Sequence, residues 1–408
     1  MNNIIKNDKF KTNYLKIRYV IDCDELLYNK ALLLSEYLTY ANNKTKTDKK
    51  TIQLLDSLYD ASFGVSVAIK SNKICFDFNI GFVASKYIND KNYLEKLMQT
   101  YYDFIFDPFT INNEFNIDIF EKNKFNIINA LKAQYDDKNT YAYLQFNKII
   151  GQDTSLAINS SGNENIINQL NINDIKVLYD DIIKTKPYFK GYVNNNDYEY
   201  INNFINNNFV LNNNYVYLTN TKLIKLTNDK VIEHDDITQG KLFIKIKFNN
   251  DFKKEDFIKY QLLNTILGSS SNSYLFKIVR EEYNLCYSIR SLYNHYYNYI
   301  MITAGIDVNN YDKTISVIKD IIDKIKINDI NQEDFDIAKI SLIDIIKKLS
   351  DEQISMINYQ INREALNVVS NIEDEISLIN KLKKEDLKDV MSSIELEFKY
   401  MLGAINHE

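Results

Sequence analysis

Two prolines and nine glycines are all that punctuate 408 residues. Such sparse punctuation excludes a collagen-like or low-complexity chain and leaves long helices and regular strands unbroken. The three cysteines, Cys23, Cys75 and Cys286, are odd in number and far apart, which argues against a disulfide framework and for a reducing compartment, the cytoplasm. Only three histidines occur, His234, His295 and His407, and no two stand at the spacing of a metal-binding pair. Tryptophan is absent; together with the abundance of Asn, Lys and Ile this reflects AT-rich coding rather than chemistry. The net charge of -6 supplies no basic field for nucleic acid or an anionic membrane. No run approaches the roughly 20 apolar residues that cross a bilayer, and Met1–Lys9 has no apolar stretch of signal-peptide length.

What the chain does have is a packed-protein composition, 45% hydrophobic and 25% charged, in a length that suits two or more domains. It also repeats itself once. Leu15–Tyr19 and Ile244–Phe248 both alternate apolar and basic residues, the period of a half-buried strand. Each is followed by an apolar helix, Ala31–Leu38 and Tyr260–Leu267, and then by a strand ending in glycine, Phe76–Gly81 and Ile300–Gly305. An amphipathic helix comes next: Leu94, Leu97, Met98, Tyr101 and Ile105 in the first half, Ile315, Ile318, Ile322 and Ile325 in the second. Further helices start near Phe120 and Phe335, and each half closes with a similar segment, Asn173–Lys176 and Glu385–Lys388. The two copies are offset by roughly 210–230 residues, a single duplication rather than a solenoid. The expected fold class is α+β: two homologous half-domains, residues 1–212 and 226–408, each a mixed, largely antiparallel sheet backed by helices. The break falls between about Asn208 and Leu226, and the polar connection up to Gln239 reads as linker.

The densest run of signals lies between Gly240 and Tyr311. Q-G-K-L-F-I-K-I-K-F is followed by a helix ending I-L-G-S-S-S-N-S-Y-L-F, then V-R-E-E-Y-N-L-C-Y-S-I, then I-M-I-T-A-G-I-D. Gly268 stands where a helix would end on a left-handed cap, and Tyr293–Tyr299 reads as a turn between two strands. Cys286 lies nine residues before His295 and is better explained as a strand-buried thiol than as a nucleophile. This order of segments resembles the second half-domain of the insulinase/pitrilysin metallopeptidases, and the duplicated element order matches that family over nearly the whole chain. The resemblance implies that Arg280 and Tyr287, seven residues apart, bind the substrate backbone. The guanidinium would offer a planar fork of donors and the phenol one directed hydrogen bond.

The family's zinc motif, His-x-x-Glu-His on a helix, is absent. Counting back from Leu58–Ser62, which resembles the turn after that helix, the two histidine positions fall on Leu32 and Glu36 and the general base on Ser35. The third ligand, a glutamate, falls near Ile128. A Leu32-Leu33-Leu34 run is a buried helix face, so the resemblance implies no metal and no catalytic residue in this chain, which would be inactive alone. It implies a heterodimer instead, as in the bacterial two-subunit members and mitochondrial processing peptidase. A zinc-bearing subunit of the same family would be the partner, and zinc its cofactor. The substrate would be a peptide, a precursor or leader peptide or another short one. The alternative is a structural scaffold or peptide-binding subunit without a proteolytic role.

Overall fold

A computed structural model describes residues 3–403. In the first half the chain runs through strands β1 (Ile4–Lys6) and β2 (Thr12–Asp22), helices α1 (Glu25–Tyr40) and α2 (Asp48–Ser57), and strands β3 (Ser62–Lys70) and β4 (Lys73–Val83). Helix α3 (Tyr93–Phe106), a small hairpin of β5 (Thr110–Ile111) and β6 (Glu114–Phe115), and helices α4 (Ile117–Gln134), α5 (Lys138–Ile150), α6 (Glu164–Gln169) and α7 (Ile172–Ile182) lead to β7 (Tyr188–Val193) and α8 (Tyr198–Asn208).

The second half repeats most of this. Strands β8 (Lys230–His234) and β9 (Gly240–Phe248) precede helix α9 (Phe257–Asn264), which continues as wider turns over Thr265–Ser269. A second wide helix, Leu275–Glu282, leads to strands β10 (Cys286–Asn294) and β11 (Tyr299–Ile306). Helices α10 (Tyr311–Lys326), α11 (Gln332–Leu349), α12 (Gln353–Leu366), α13 (Ile372–Lys381) and α14 (Lys388–Ser392) precede the last strand, β12 (Ile394–Gly403).

The strand orders are β1-β7-β2-β4-β3 and β8-β12-β9-β11-β10. In both sheets only the outermost short strand is parallel to its neighbour, β1 to β7 and β8 to β12. The fold is thus the expected α+β duplication with mixed, largely antiparallel sheets. Helices pack one face of each sheet because the alternation demands it: Leu15, Ile17 and Tyr19 of β2, and Leu242, Ile244 and Ile246 of β9, are buried. The amphipathic helices behave as their spacing predicts. Leu97, Met98, Tyr101 and Ile105 of α3 and Ile318, Ile322 and Ile325 of α10 are buried, while Leu94 and Ile315 sit at the rims. Local caps fix the starts: Asp24 accepts from the Leu27 amide at 2.8 Å ahead of α1, and Asn171 and Asp174 form a reciprocal box at α7.

By contact the chain forms two compact units, and each takes a segment from the other half of the sequence. The first comprises residues 3–133, 158–217 and 352–362; the second comprises residues 134–157, 218–351 and 363–403. Helix α5 therefore lies in the second unit, where Phe146 packs against Phe243 and Phe398 with ring centroids 5.5 and 6.2 Å apart.

Two expectations are corrected here. The connection up to Gln239 is not all linker, because β8 pairs with β12 over Lys230–His234; a five-residue edge strand is too short for its period to show. Gly268 is not a left-handed cap. It lies within the wide turns after α9, and among the glycines only Gly162 has a positive φ, at 105°. A Cβ at Gly268 would stand 2.6 Å from Leu275 Cδ1 and 2.8 Å from Ser291 Oγ, so the residue serves close packing.

Candidate functional site

Helix α1 carries Leu32, Ser35 and Glu36, the positions where the resemblance would put the zinc motif. Leu33 and Leu34 are fully buried, each burial stabilising the fold by about 1.5–3 kcal/mol. Leu32 is half-buried against the same core, and its Cδ1 would lie 3.2 Å from a Cβ placed on Gly162. The Ser35 hydroxyl is turned inward and donates to the Leu32 carbonyl at 2.8 Å, so it is spent within the helix. Glu36 is exposed. Ile128, on α4, is half-buried against the same core as Leu32. Three of these four positions thus offer hydrocarbon or an engaged hydroxyl, and one carboxylate does not make a zinc site. Among the described residues no group of three or more His, Cys, Asp and Glu could hold a metal ion. His407 lies outside the described residues.

Arg280 and Tyr287 flank the turn from the wide helix into β10. That helix closes with wide-turn backbone bonds, Tyr283 N to Ile278 O at 2.9 Å and Leu285 N to Val279 O at 3.0 Å. Asn284, at φ 50°, then reverses the chain. π-type winding of this kind concentrates at functional sites. The helix packs against β10. The Arg280 guanidinium lies over the Phe276 ring, 4.6 Å from its centroid, and only a long 3.8 Å contact joins it to Glu281.

Tyr287 occupies a β-bulge: Cys286 pairs with Ile306 and Ser288 with Gly305, which leaves Tyr287 as the extra residue. The bulge re-aims its side chain, which is 70% exposed and has no hydrogen bond within the described residues. Beside it Cys286 is buried, and burial pushes its thiol up to about 11, with the Arg280 charge pulling partly the other way. A thiol so placed is not a nucleophile at neutral pH. His295 packs its ring on Tyr296 and Phe257 instead.

Beyond the bulge β10 alternates cleanly. Ile289, Ser291 and Tyr293 point in; Ser288, Arg290 and Leu292 point out. Sequence inspection did not single out this outward row, although the Ser-Ile-Arg-Ser-Leu-Tyr alternation carried the signal.

Residues 182–342 match the family model described as the Peptidase M16 inactive domain. The chain is 24% identical over 406 residues to the probable inactive metalloprotease YmfF of Bacillus subtilis (strain 168), covering 98% of this chain and 95% of that protein. Its fold matches a conserved protein from Enterococcus faecalis V583 with a TM-score of 0.86 at 20% identity, over 99% and 96% of the two chains. It also matches a peptidase M16 inactive domain from Pseudomonas fluorescens with a TM-score of 0.78 at 16% identity, over 99% and 95%. Among the described residues no helix is long and apolar enough to cross a membrane.

Proposed function

Because residues 182–342 match the Peptidase M16 inactive domain and nearly the whole chain is similar to a probable inactive metalloprotease, we propose that it is an inactive member of the insulinase/pitrilysin (M16) peptidases and the zinc-less subunit of a two-chain zinc peptidase. In this reading a zinc-bearing subunit of the same family is its partner in the cytoplasm, and Arg280 and Tyr287 hold the peptide that the partner cuts.

The observation that carries the reading is the bulge at Tyr287. An extra residue in an edge strand turns an unbonded phenol outward, one short turn after an arginine that no carboxylate holds closely. A core or surface tyrosine needs no such device. The phenol can donate to a peptide carbonyl, and the guanidinium can bind a second carbonyl through two parallel N–H groups. Strand β10 also stands at the edge of its sheet, so its outer backbone groups are available to an extended peptide, which would be held as an added strand. The hydrolytic step belongs to the partner, since Leu32, Ser35, Glu36 and Ile128 supply neither ligand set nor general base. A precursor or leader peptide fits this extended mode of binding.

One observation favours the second reading, a scaffold: the stacking of Arg280 on Phe276 gives that guanidinium a packing role of its own. Co-expression with a zinc-bearing M16 chain followed by peptide-cleavage kinetics separates the two. Arg280→Ala or Tyr287→Phe should lower the rate by ~10²–10³-fold while the complex stays intact. Full cleavage by the double variant would leave the chain as a scaffold.

A further inference from the structure

The outward row of β10 opens onto a cavity of about 360 Å³ in the second unit. The register places its floor. Lys241 of β9, Gly305 of β11 and Ser288 of β10 lie in one cross-strand row, and Thr303 and Arg290 lie in the next row on the same face. Gly305 leaves room for Gln239 over the floor: a Cβ there would stand 2.7 Å from Gln239 Nε2, while Gln239 Oε1 accepts from Lys241 Nζ at 2.8 Å. Two cations and several neutral donors line the cavity, and among the described residues no carboxylate does. Arg290 is exposed and makes no ion pair or hydrogen bond within the described residues. Asp137, at the start of α5, is already committed to Thr140 and Asn139, and Lys241 is the weakest of the influences on it.

The duplication supplies an internal control. In the first sheet Tyr14, Gly81 and Ser62 form the same row, again with glycine in the middle and serine on the edge strand. A cavity of about 410 Å³ lies there too, beside the start of α12. Its charged lining residues are Asp60 and Glu352, with no lysine or arginine. The hollow is thus a property of the repeated backbone, and the positive lining is particular to the second copy. A positive, partly enclosed lining, whose carboxylate neighbour Asp137 is engaged by Asn139 and Thr140, attracts an anion.

We propose that Lys241 and Arg290 form a carboxylate-binding subsite, with Ser288 and Thr303 as further donors, that anchors one acidic group of a bound peptide. The inference rests on the peptide-binding reading above and narrows it to peptides carrying an acidic side chain or a free C-terminal carboxylate near the segment held by Tyr287, which immediately precedes Ser288. Arg290 can take the carboxylate through a bidentate fork, and Lys241 contributes a point charge.

Fluorescence anisotropy on the full chain tests it with labelled ten-residue Gly/Ser/Ala peptides. One carries a single Glu and a C-terminal amide, one carries Gln and a free C-terminus, and one carries Gln and an amide. At least one charged peptide should bind about ten-fold more tightly than the neutral one, since a hydrogen bond to a charged group is worth about one to two decades. Which charged peptide gains tells a side-chain carboxylate from a terminal one. The preference should shrink with salt and vanish in Arg290→Gln and in Lys241→Gln, whose thermal melts should match the parent. Equal binding of charged and neutral peptides, a charge preference that survives Arg290→Gln, or no binding by any peptide would each overturn the subsite. The two proposals fail separately. Cleavage by the two-chain complex that needs Arg280 and Tyr287 yet ignores peptide charge sinks only the subsite. Carboxylate binding by a chain that never pairs with a zinc-bearing subunit sinks only the function proposed above.

Discussion

In the first sheet the face turned away from the packed helices is ionic. Arg18 of β2 stands directly across from Asp77 of β4, with Nε to Oδ1 at 2.6 Å, and Lys16 reaches the same carboxylate at 2.7 Å. Tyr217 and Asn362 complete the Arg18 guanidinium from above at 3.3 and 3.0 Å. With the Ser–Gly rows aligned, the positions equivalent to Lys16, Arg18 and Asp77 in the second sheet are Phe243, Lys245 and Met301. There the face is largely aromatic, built on Phe243, Tyr299, Phe398 and Tyr400 under Phe146 of α5. Lys245 finds its counter-ion elsewhere: Glu397, the extra residue of a bulge in β12, lies 2.7 Å away. The helix-side alternation kept both backbones alike, while the opposite faces diverged into an ion cluster in one copy and a hydrocarbon layer in the other.

The strongest way to break this comparison is to remove one element from each face. Asp77→Ala strands two buried cations and should cost about 3–5 kcal/mol in urea unfolding. Phe146→Ala empties an aromatic site and should cost a similar about 3–5 kcal/mol, by cavity formation rather than charge.

Acid separates the two variants. Burial alone would raise the Asp77 carboxyl, but the Arg18 and Lys16 charges overturn that and hold it down at about 2, against an ordinary value of 3.8. A carboxyl lowered on folding contributes stability that is full above its unfolded pKa and is lost as pH falls through the folded one. The parent and Phe146→Ala should therefore lose about 2 kcal/mol between pH 4 and pH 2 in melts, and Asp77→Ala should lack that step.

Gly268→Ala overpacks Leu275 and Ser291 beneath β10 and should cost about 1–3 kcal/mol in thermal unfolding. Tyr287→Phe should shift stability by less than about 0.5 kcal/mol, since the phenol touches no internal partner; a larger loss would mean that it is structural. The isolated chain, dialysed and assayed for metal, should retain no stoichiometric zinc, because no group of three or more His, Cys, Asp and Glu among the described residues could hold the ion. Leu32→His with Glu36→His should confer no peptide cleavage, with Ser35 in place of the base.

Residues that obey a period were legible in the chain. The leucines of α1 and the isoleucines of α10 announce their helices because burial of one face recurs every three or four residues, and the strands of both halves show the same logic at a period of two. The lack of a metal-binding pair was legible in the same way, because what matters there is chemical type: three scattered histidines, His234, His295 and His407, recreate no pair of imidazoles at ligand spacing. The Gly268 and β8 expectations failed because one depends on what packs across from a glycine and the other on a neighbour supplied by the far end of the chain.

Lys16, Arg18 and Lys245 show most plainly where the sequence stops. Alternation of basic and apolar residues determined the strands and which face meets the helices, and it suggested that the basic face is wet. The structure buries all three, at 4%, 2% and 3% exposure. A charge can leave water only when a counter-charge is brought to it in the right geometry, and the partners lie between 59 residues away, for Arg18 and Asp77, and 152, for Lys245 and Glu397. The same holds for Arg290 and Lys241: their charge is written in the chain, but only the pairing of β9, β11 and β10 puts both on one floor, where no acid among the described residues joins the lining.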